Sequence, residues 1–140
     1  MELTGRCICG SVRYRISEGP LVARACWCRD CQYIAGGSST VNAIFKTDAI
    51  SLEGELKEYV TVADSGNVMH WKFCPSCGTH VLATSDRRPH LTVLRIGTLD
   101  DREAVRPGGT IWTSSAPSWA LIDPNLPQEL RQPPPPAPRP

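Results

Sequence analysis

The chain has 140 residues, enough for one domain with a modest core, and its 15 basic and 14 acidic side chains leave a formal net charge of +1. That balance argues against the basic footprint of a nucleic-acid binder, and no apolar run reaches the roughly 18 residues a membrane-spanning helix needs. With no apolar leader before the first cysteine, the sequence reads as soluble and cytoplasmic, with neither nucleic acid nor membrane among its partners.

Met1 to Arg6 lead directly into Cys7-Ile8-Cys9-Gly10. Read as extended chain, Cys7 and Cys9 project to one side, because side-chain direction repeats every two residues, and Gly10 makes the turn that follows. Ser11 to Ser17 alternates, with Val12, Tyr14 and Ile16 on one face and Arg13, Arg15 and Ser17 on the other, which predicts a half-buried strand. After the turn Glu18-Gly19-Pro20, residues Leu21 to Ala25 run into Cys26-Trp27-Cys28-Arg29-Asp30-Cys31, where the thiols lie too densely for ordinary core packing. Gln32 to Ala35 predicts one helical turn, broken by Gly36-Gly37. Ser38 to Phe45 predicts a strand with Val41, Ala43 and Phe45 in phase, and Thr47 to Ile50 a turn.

A hairpin follows, with strands Leu56 to Val62 and Val68 to Phe73 around the turn Asp64-Ser65-Gly66-Asn67. Its second strand delivers Cys74-Pro75-Ser76-Cys77-Gly78, a knuckle in which proline sets the turn and glycine lets the chain leave without a Cβ clash. Thr79 to Ala83 and Leu91 to Ile96 are two further strands, separated by the polar loop Ser85 to Pro89. Thr98 to Glu103 reads as a polar turn or the opening of a short helix. Thr110-Ile111-Trp112 reads as a short strand, and Trp112 and Trp119 as core residues, the second closing the core. Pro133 to Pro136 and Ala137-Pro138-Arg139-Pro140 have almost nothing to bury, so the domain is taken as 1–127 and residues 128–140 as a disordered proline-rich tail. With no internal repeat and no long helical period, the whole predicts an all-β domain of short strands that metal staples would have to reinforce.

The seven cysteines form an odd set that cannot pair completely as disulfides, and in a reducing compartment clustered thiols read as metal ligands. The Cys74-x2-Cys77 knuckle needs a second thiol pair to complete a tetrahedron at a zinc–sulfur distance of about 2.3 Å, and Cys7 with Cys9 supplies it. Cys26, Cys28 and Cys31 are then left to hold a second zinc with one position open. Two readings of that triplet stand side by side: a catalytic zinc, or a second structural zinc or incidental metal trap. Three thiolates over-neutralise zinc(II) and make it a weak Lewis acid, so generating hydroxide from water suffers, whereas a substrate thiol can bind and lose its proton. Thiol activation is therefore favoured over hydrolysis. Trp27, Arg29, Gln32 and Ser39 are candidate substrate contacts, with Ser38 beside them. Arg24 and Arg29 either offset charge, hold a carboxylate or simply face solvent. His70, His80 and His90 read as ordinary strand and loop residues.

Four segments carry a family resemblance: Gly5-Arg6-Cys7-Ile8-Cys9-Gly10-Ser11-Val12-Arg13-Tyr14, Cys26-Trp27-Cys28-Arg29-Asp30-Cys31-Gln32, Phe73-Cys74-Pro75-Ser76-Cys77-Gly78-Thr79 and Arg95-Ile96-Gly97-Thr98-Leu99-Asp100-Asp101. Together they resemble the glutathione-dependent formaldehyde-activating enzymes, the group that also contains centromere protein V, from about Gly5 to Trp119. The resemblance implies a β-tent fold of small antiparallel sheets, structural zinc on Cys7, Cys9, Cys74 and Cys77, and catalytic zinc near Cys26, Cys28 and Cys31. It also implies the carbon–sulfur lyase activity of the family, joining glutathione to formaldehyde as S-hydroxymethylglutathione. The alternative is a non-catalytic, zinc-stabilised binding module on the same scaffold.

Overall fold

The computed structural model describes residues 2–63 and 65–138, so Met1, Arg139, Pro140 and Asp64 of the expected hairpin turn lie outside the described residues. In chain order the elements are β1 (Leu3–Arg6), β2 (Arg13–Ile16), β3 (Val22–Cys26), the helix α1 (Arg29–Ile34), β4 (Thr40–Lys46) and β5 (Ile50–Glu53). After these come β6 (Lys57–Val62), β7 (Val68–Phe73), β8 (His80–Ser85), β9 (Leu91–Arg95) and β10 (Thr110–Ile111). The chain is all-β, folded as a three-stranded sheet in the order β1-β2-β5 and a seven-stranded sheet in the order β10-β3-β4-β9-β8-β7-β6. All neighbours are antiparallel except the short β10, which runs parallel to β3. Among the described residues no helix is long and apolar enough to cross a membrane.

The alternation in β2 positions the small sheet. Val12, Tyr14 and Ile16 are buried, while Arg13 and Arg15 face solvent. They pack with Ala43, Phe45 and Leu94 from one face of the large sheet. Burying each aliphatic or phenyl side chain of this kind is worth about 1.5–3 kcal/mol. The period of two then dictates what the opposite face carries: Asn42 and Ile44 of β4, Val93 and Arg95 of β9 and Trp71 of β7 point away from that core and line a cavity.

The expected hairpin is present as β6–β7, with Val62 opposite Val68. Three strands were not read from the sequence: β1, β3 (Val22–Cys26, expected only as a lead into the cysteines) and β5. β1 passes under Tyr14 at Gly5, where a Cβ would lie 2.1 Å from the tyrosine oxygen, and β5 is mostly exposed, without a clear buried face. Thr98 to Glu103 does not open a helix. The chain makes a 3-10 turn at Ile96–Thr98 and crosses to the small sheet, where Leu99 bridges Gly5 and the Asp100 N–H donates to Thr4 O at 2.9 Å. The two sheets are thus stitched by backbone.

Trp119 does not close the core. It is 67% exposed and meets buried Trp27 edge-on, with ring centroids 6.4 Å apart. Beyond it, the segment expected to be free tail from Gln128 runs beside β10. Gln128 bridges Thr110, the Glu129 N–H donates to Thr110 O at 2.9 Å, and Ser114 N–H donates to Leu130 O at 3.2 Å.

Candidate metal centre

Cys7-Ile8-Cys9-Gly10, expected as extended chain, is instead a tight turn at the end of β1, closed by the Gly10 N–H donating to Cys7 O at 3.1 Å. Gly10 takes a φ of 79°, which a residue with a Cβ rarely adopts. The second knuckle continues β7. Cys74 N–H donates to Thr79 O and Gly78 N–H to Cys74 O, each at 2.9 Å, with Gly78 at a φ of 75°. The two turns bring Cys7, Cys9, Cys74 and Cys77 together with all four sulfurs within 4.8 Å of one another. Cys7 Sγ and Cys9 Sγ are 3.6 Å apart, and Cys9 Sγ and Cys74 Sγ 3.8 Å. A tetrahedral ion bound at about 2.3 Å by sulfur has ligand–ligand edges of about 3.8 Å, which these two separations match.

Partners that the sequence did not single out complete this group. Ser11 Oγ lies 3.1 Å from Cys9 Sγ and 3.2 Å from Cys74 Sγ, and the Val12 N–H donates to Cys7 Sγ at 3.3 Å. Thr79 Oγ1 lies 3.1 Å from Cys77 Sγ and accepts from Ile8 N–H at 3.2 Å, tying one knuckle to the other. The Thr79 hydroxyl, followed by backbone N–H groups, holds the Cys77 thiol down to about 5.

The three-cysteine group sits where β3 turns into α1. Parallel pairing with β10 fixes the exit of β3, with Trp27 N–H donating to Ile111 O at 3.1 Å. Cys28 caps α1, its Sγ accepting from Cys31 N–H at 3.3 Å. That cap starts the helix at Arg29 rather than Gln32 and places Cys31 in its first turn. The three sulfurs also lie within 4.8 Å of one another. Hydrogen bonds from the Cys26 and Cys28 thiols hold Cys31 down to about 3, while the same contacts and burial push Cys26 far up.

The two groups differ in what surrounds them. Cys26, Cys28 and Cys31 line a cavity of about 240 Å³, and the four-cysteine group borders neither this cavity nor a second one against β3 and β10. Among the described residues, five arginines, Arg24, Arg29, Arg87, Arg88 and Arg95, and one carboxylate, Asp30, line the first cavity. Trp112, at a φ of 59°, forms part of the wall and donates from Nε1 to Gln132 Oε1 at 3.0 Å.

Of the candidate substrate contacts, Arg29 lines this cavity, and Trp27, Gln32, Ser38 and Ser39 stand outside its lining. Trp27 is buried against Trp119, and Ser38 is exposed. Gln32 is buried as a strut. Its Nε2 donates to Trp27 O at 2.8 Å and Ser115 O at 3.0 Å, and its Oε1 accepts from Arg29 Nη1 at 2.6 Å. Among the described residues no histidine joins either cysteine group.

Arg95 had no role in the sequence reading beyond its place in a quoted motif. It is 8% exposed, lies over the Trp71 ring at 5.3 Å and donates from Nη1 to Asn42 Oδ1 at 2.5 Å. Its Nε and Nη2 are buried without a hydrogen-bond partner. Only the sheet topology, which sets the end of β9 across β4 from β3, brings it to the cysteines.

A family profile described as glutathione-dependent formaldehyde-activating enzyme matches residues 2–115. No curated protein matches the chain. Among solved structures, the crystal structure of a Rhodobacter sphaeroides protein aligns with a TM-score of 0.56 at 21% identity, covering 74% of this chain and 91% of that one, a likeness of fold alone.

Proposed function

The chain belongs to the glutathione-dependent formaldehyde-activating enzyme family, and from that premise we propose that it is a zinc-dependent enzyme of the carbon–sulfur lyase type. Its substrates are a thiol, glutathione or a similar one, and formaldehyde or another small electrophile. The observation that carries this reading is that the three-ligand group lines an arginine-rich cavity, while the four-ligand group lines neither that cavity nor the second one against β3 and β10.

All-sulfur donors in tetrahedral spacing suit zinc. Cys7, Cys9, Cys74 and Cys77 would hold a structural ion, and Cys26, Cys28 and Cys31 a second one with a position left for substrate. Bound there, zinc would supply a Lewis-acid site at which a substrate thiol ionises at neutral pH. The protein's own part is recognition and placement. Arg24 and Arg88 suit the carboxylates of a glutathione-like thiol, Asp30 suits its ammonium group, and the Trp112 wall keeps water from one side. The reaction balances without a further reagent: a sulfur–carbon bond forms, the carbonyl π bond opens to a hydroxyl, and the thiol proton ends on that oxygen. Seven unpaired thiols suit a reducing compartment such as the cytoplasm.

The test is exchange between free glutathione and S-hydroxymethylglutathione in the presence of formaldehyde, followed by NMR. Zinc-loaded protein is expected to accelerate exchange above the spontaneous rate, and Cys28→Ser to remove the acceleration. Exchange no faster than in the protein-free control refutes the enzyme reading and leaves the zinc-stabilised binding module.

A further inference from the structure

A bare guanidinium is costly inside a protein, and Arg95 is nearly so. Among the described residues its guanidinium donates to the neutral amide of Asn42, Nε and Nη2 have no hydrogen-bond partner, and no salt bridge joins it to a carboxylate. If its task were only to fill space over Trp71, an uncharged side chain would serve without the desolvation cost. Asn42 and Trp71 hold it in place. Cys26, Cys28 and Cys31, which must be deprotonated to hold a metal, stand on the same cavity wall.

We infer that Arg95 is the counter-charge of the three-cysteine centre, a positioning residue whose unspent N–H donors offset the excess charge of three cysteinates on a divalent ion. Three cysteinates leave such an ion with one negative charge, and a fourth, anionic sulfur would have to join against that repulsion. The arginine cancels it. Because Arg95 is held by Asn42 and Trp71 rather than by a loop, the compensation is in place before substrate arrives. The inference rests on the thiol-activating reading above, and its test separates the two.

The experiment uses the full chain loaded with cobalt(II), whose absorption reports sulfur coordination, and 2-mercaptoethanol as the thiol. That thiol has no carboxylate, so a lost arginine cannot act by losing a carboxylate anchor. In Arg95→Gln the second cobalt is expected to bind about ten- to a hundred-fold more weakly, with 2-mercaptoethanol affinity falling and the first cobalt unaffected. Asn42→Asp keeps the arginine and its hydrogen bond but supplies a competing negative charge, and is expected to shift both affinities in the same direction. Arg95→Lys is expected to recover most of the loss. Should Arg95→Gln fail to fold, Asn42→Asp carries the test. Wild-type affinities in Asn42→Asp, or in a folded Arg95→Gln, overturn the inference, as does an Arg95→Lys no better than Gln. A wild-type protein that binds two cobalt ions but no thiol refutes thiol activation, while the variants' effect on the second cobalt still decides the role of Arg95. A wild type that takes up only one cobalt overturns both.

Discussion

Cys74→Ser probes how much of this fold hangs on the four-cysteine group. Cys7 and Cys74 are both buried in the core between the sheets, and the group joins the turn at residue 7 to a knuckle that ends at residue 77. Treated as a cross-link closing a loop of about 70 residues, that junction is worth about 4 kcal/mol in lost freedom of the unfolded chain. A structural zinc is worth roughly 10–16 kcal/mol in binding, against a typical whole-domain stability of about 5–15 kcal/mol, so losing a ligand threatens the fold as a whole. With a urea dependence of about 2 kcal/mol per molar, the cross-link share alone moves the midpoint down by about 2 M. Residues 26 to 31 close only a short loop, worth about 2 kcal/mol by the same reasoning, so Cys28→Ser should shift the midpoint about half as far. Urea unfolding followed by circular dichroism, with trypsin sensitivity alongside, measures both. A Cys74→Ser protein with the wild-type midpoint and wild-type trypsin resistance would refute the reasoning.

Three further outcomes are expected. Gly5→Ala places a Cβ 2.1 Å from Tyr14 Oη and 2.5 Å from the Thr98 carbonyl oxygen, and neither the buried phenol nor the backbone can retreat cheaply. It should cost about 2–3 kcal/mol or more, read as a lowered melting temperature; an unchanged one contradicts the packing described. His70 sits between Asp86 at 2.7 Å and Glu58 at 3.2 Å, and Asp86 above all holds its pKa above the usual histidine value. A raised folded pKa makes this stabilisation fully present below about pH 6.5 and lost as pH rises through the folded value. The urea midpoint of the wild type should therefore fall relative to His70→Gln across that window, and parallel pH profiles would refute the pairing. Arg24→Ala and Arg88→Ala should each raise KM for glutathione about tenfold, the worth of one charge-assisted hydrogen bond, and leave an uncharged thiol unaffected; equal effects on both thiols would place these arginines outside substrate recognition.

What was legible in the sequence was local. Val12, Tyr14 and Ile16 announce their buried face because strand side chains alternate over a span of a few residues. The β6–β7 hairpin is written in its turn residues, and the grouping of sulfurs follows from spacings of two and three residues within turns. A tight turn at Cys7-Ile8-Cys9 converges two thiols as well as an extended segment would, so the convergence could be read while the backbone geometry could not.

What only the tertiary structure decided involves partners far apart in the chain. Arg95 looks like the ordinary end of a strand until β9 pairs with β4 and β4 with β3, which sets its charge beside cysteines more than sixty residues earlier. Gln32, read as a substrate contact from its place after the triplet, becomes a strut because Ser115 arrives beside it. Trp119 faces solvent because the core between the sheets is already filled by Phe45, Leu94 and their neighbours. Composition and spacing specify which atoms can bind a metal, since that depends on reach within a few bonds. Which of the two sulfur groups opens into a cavity, and what charge it meets there, depends on the order in which distant strands pair, and no short stretch of sequence records that order.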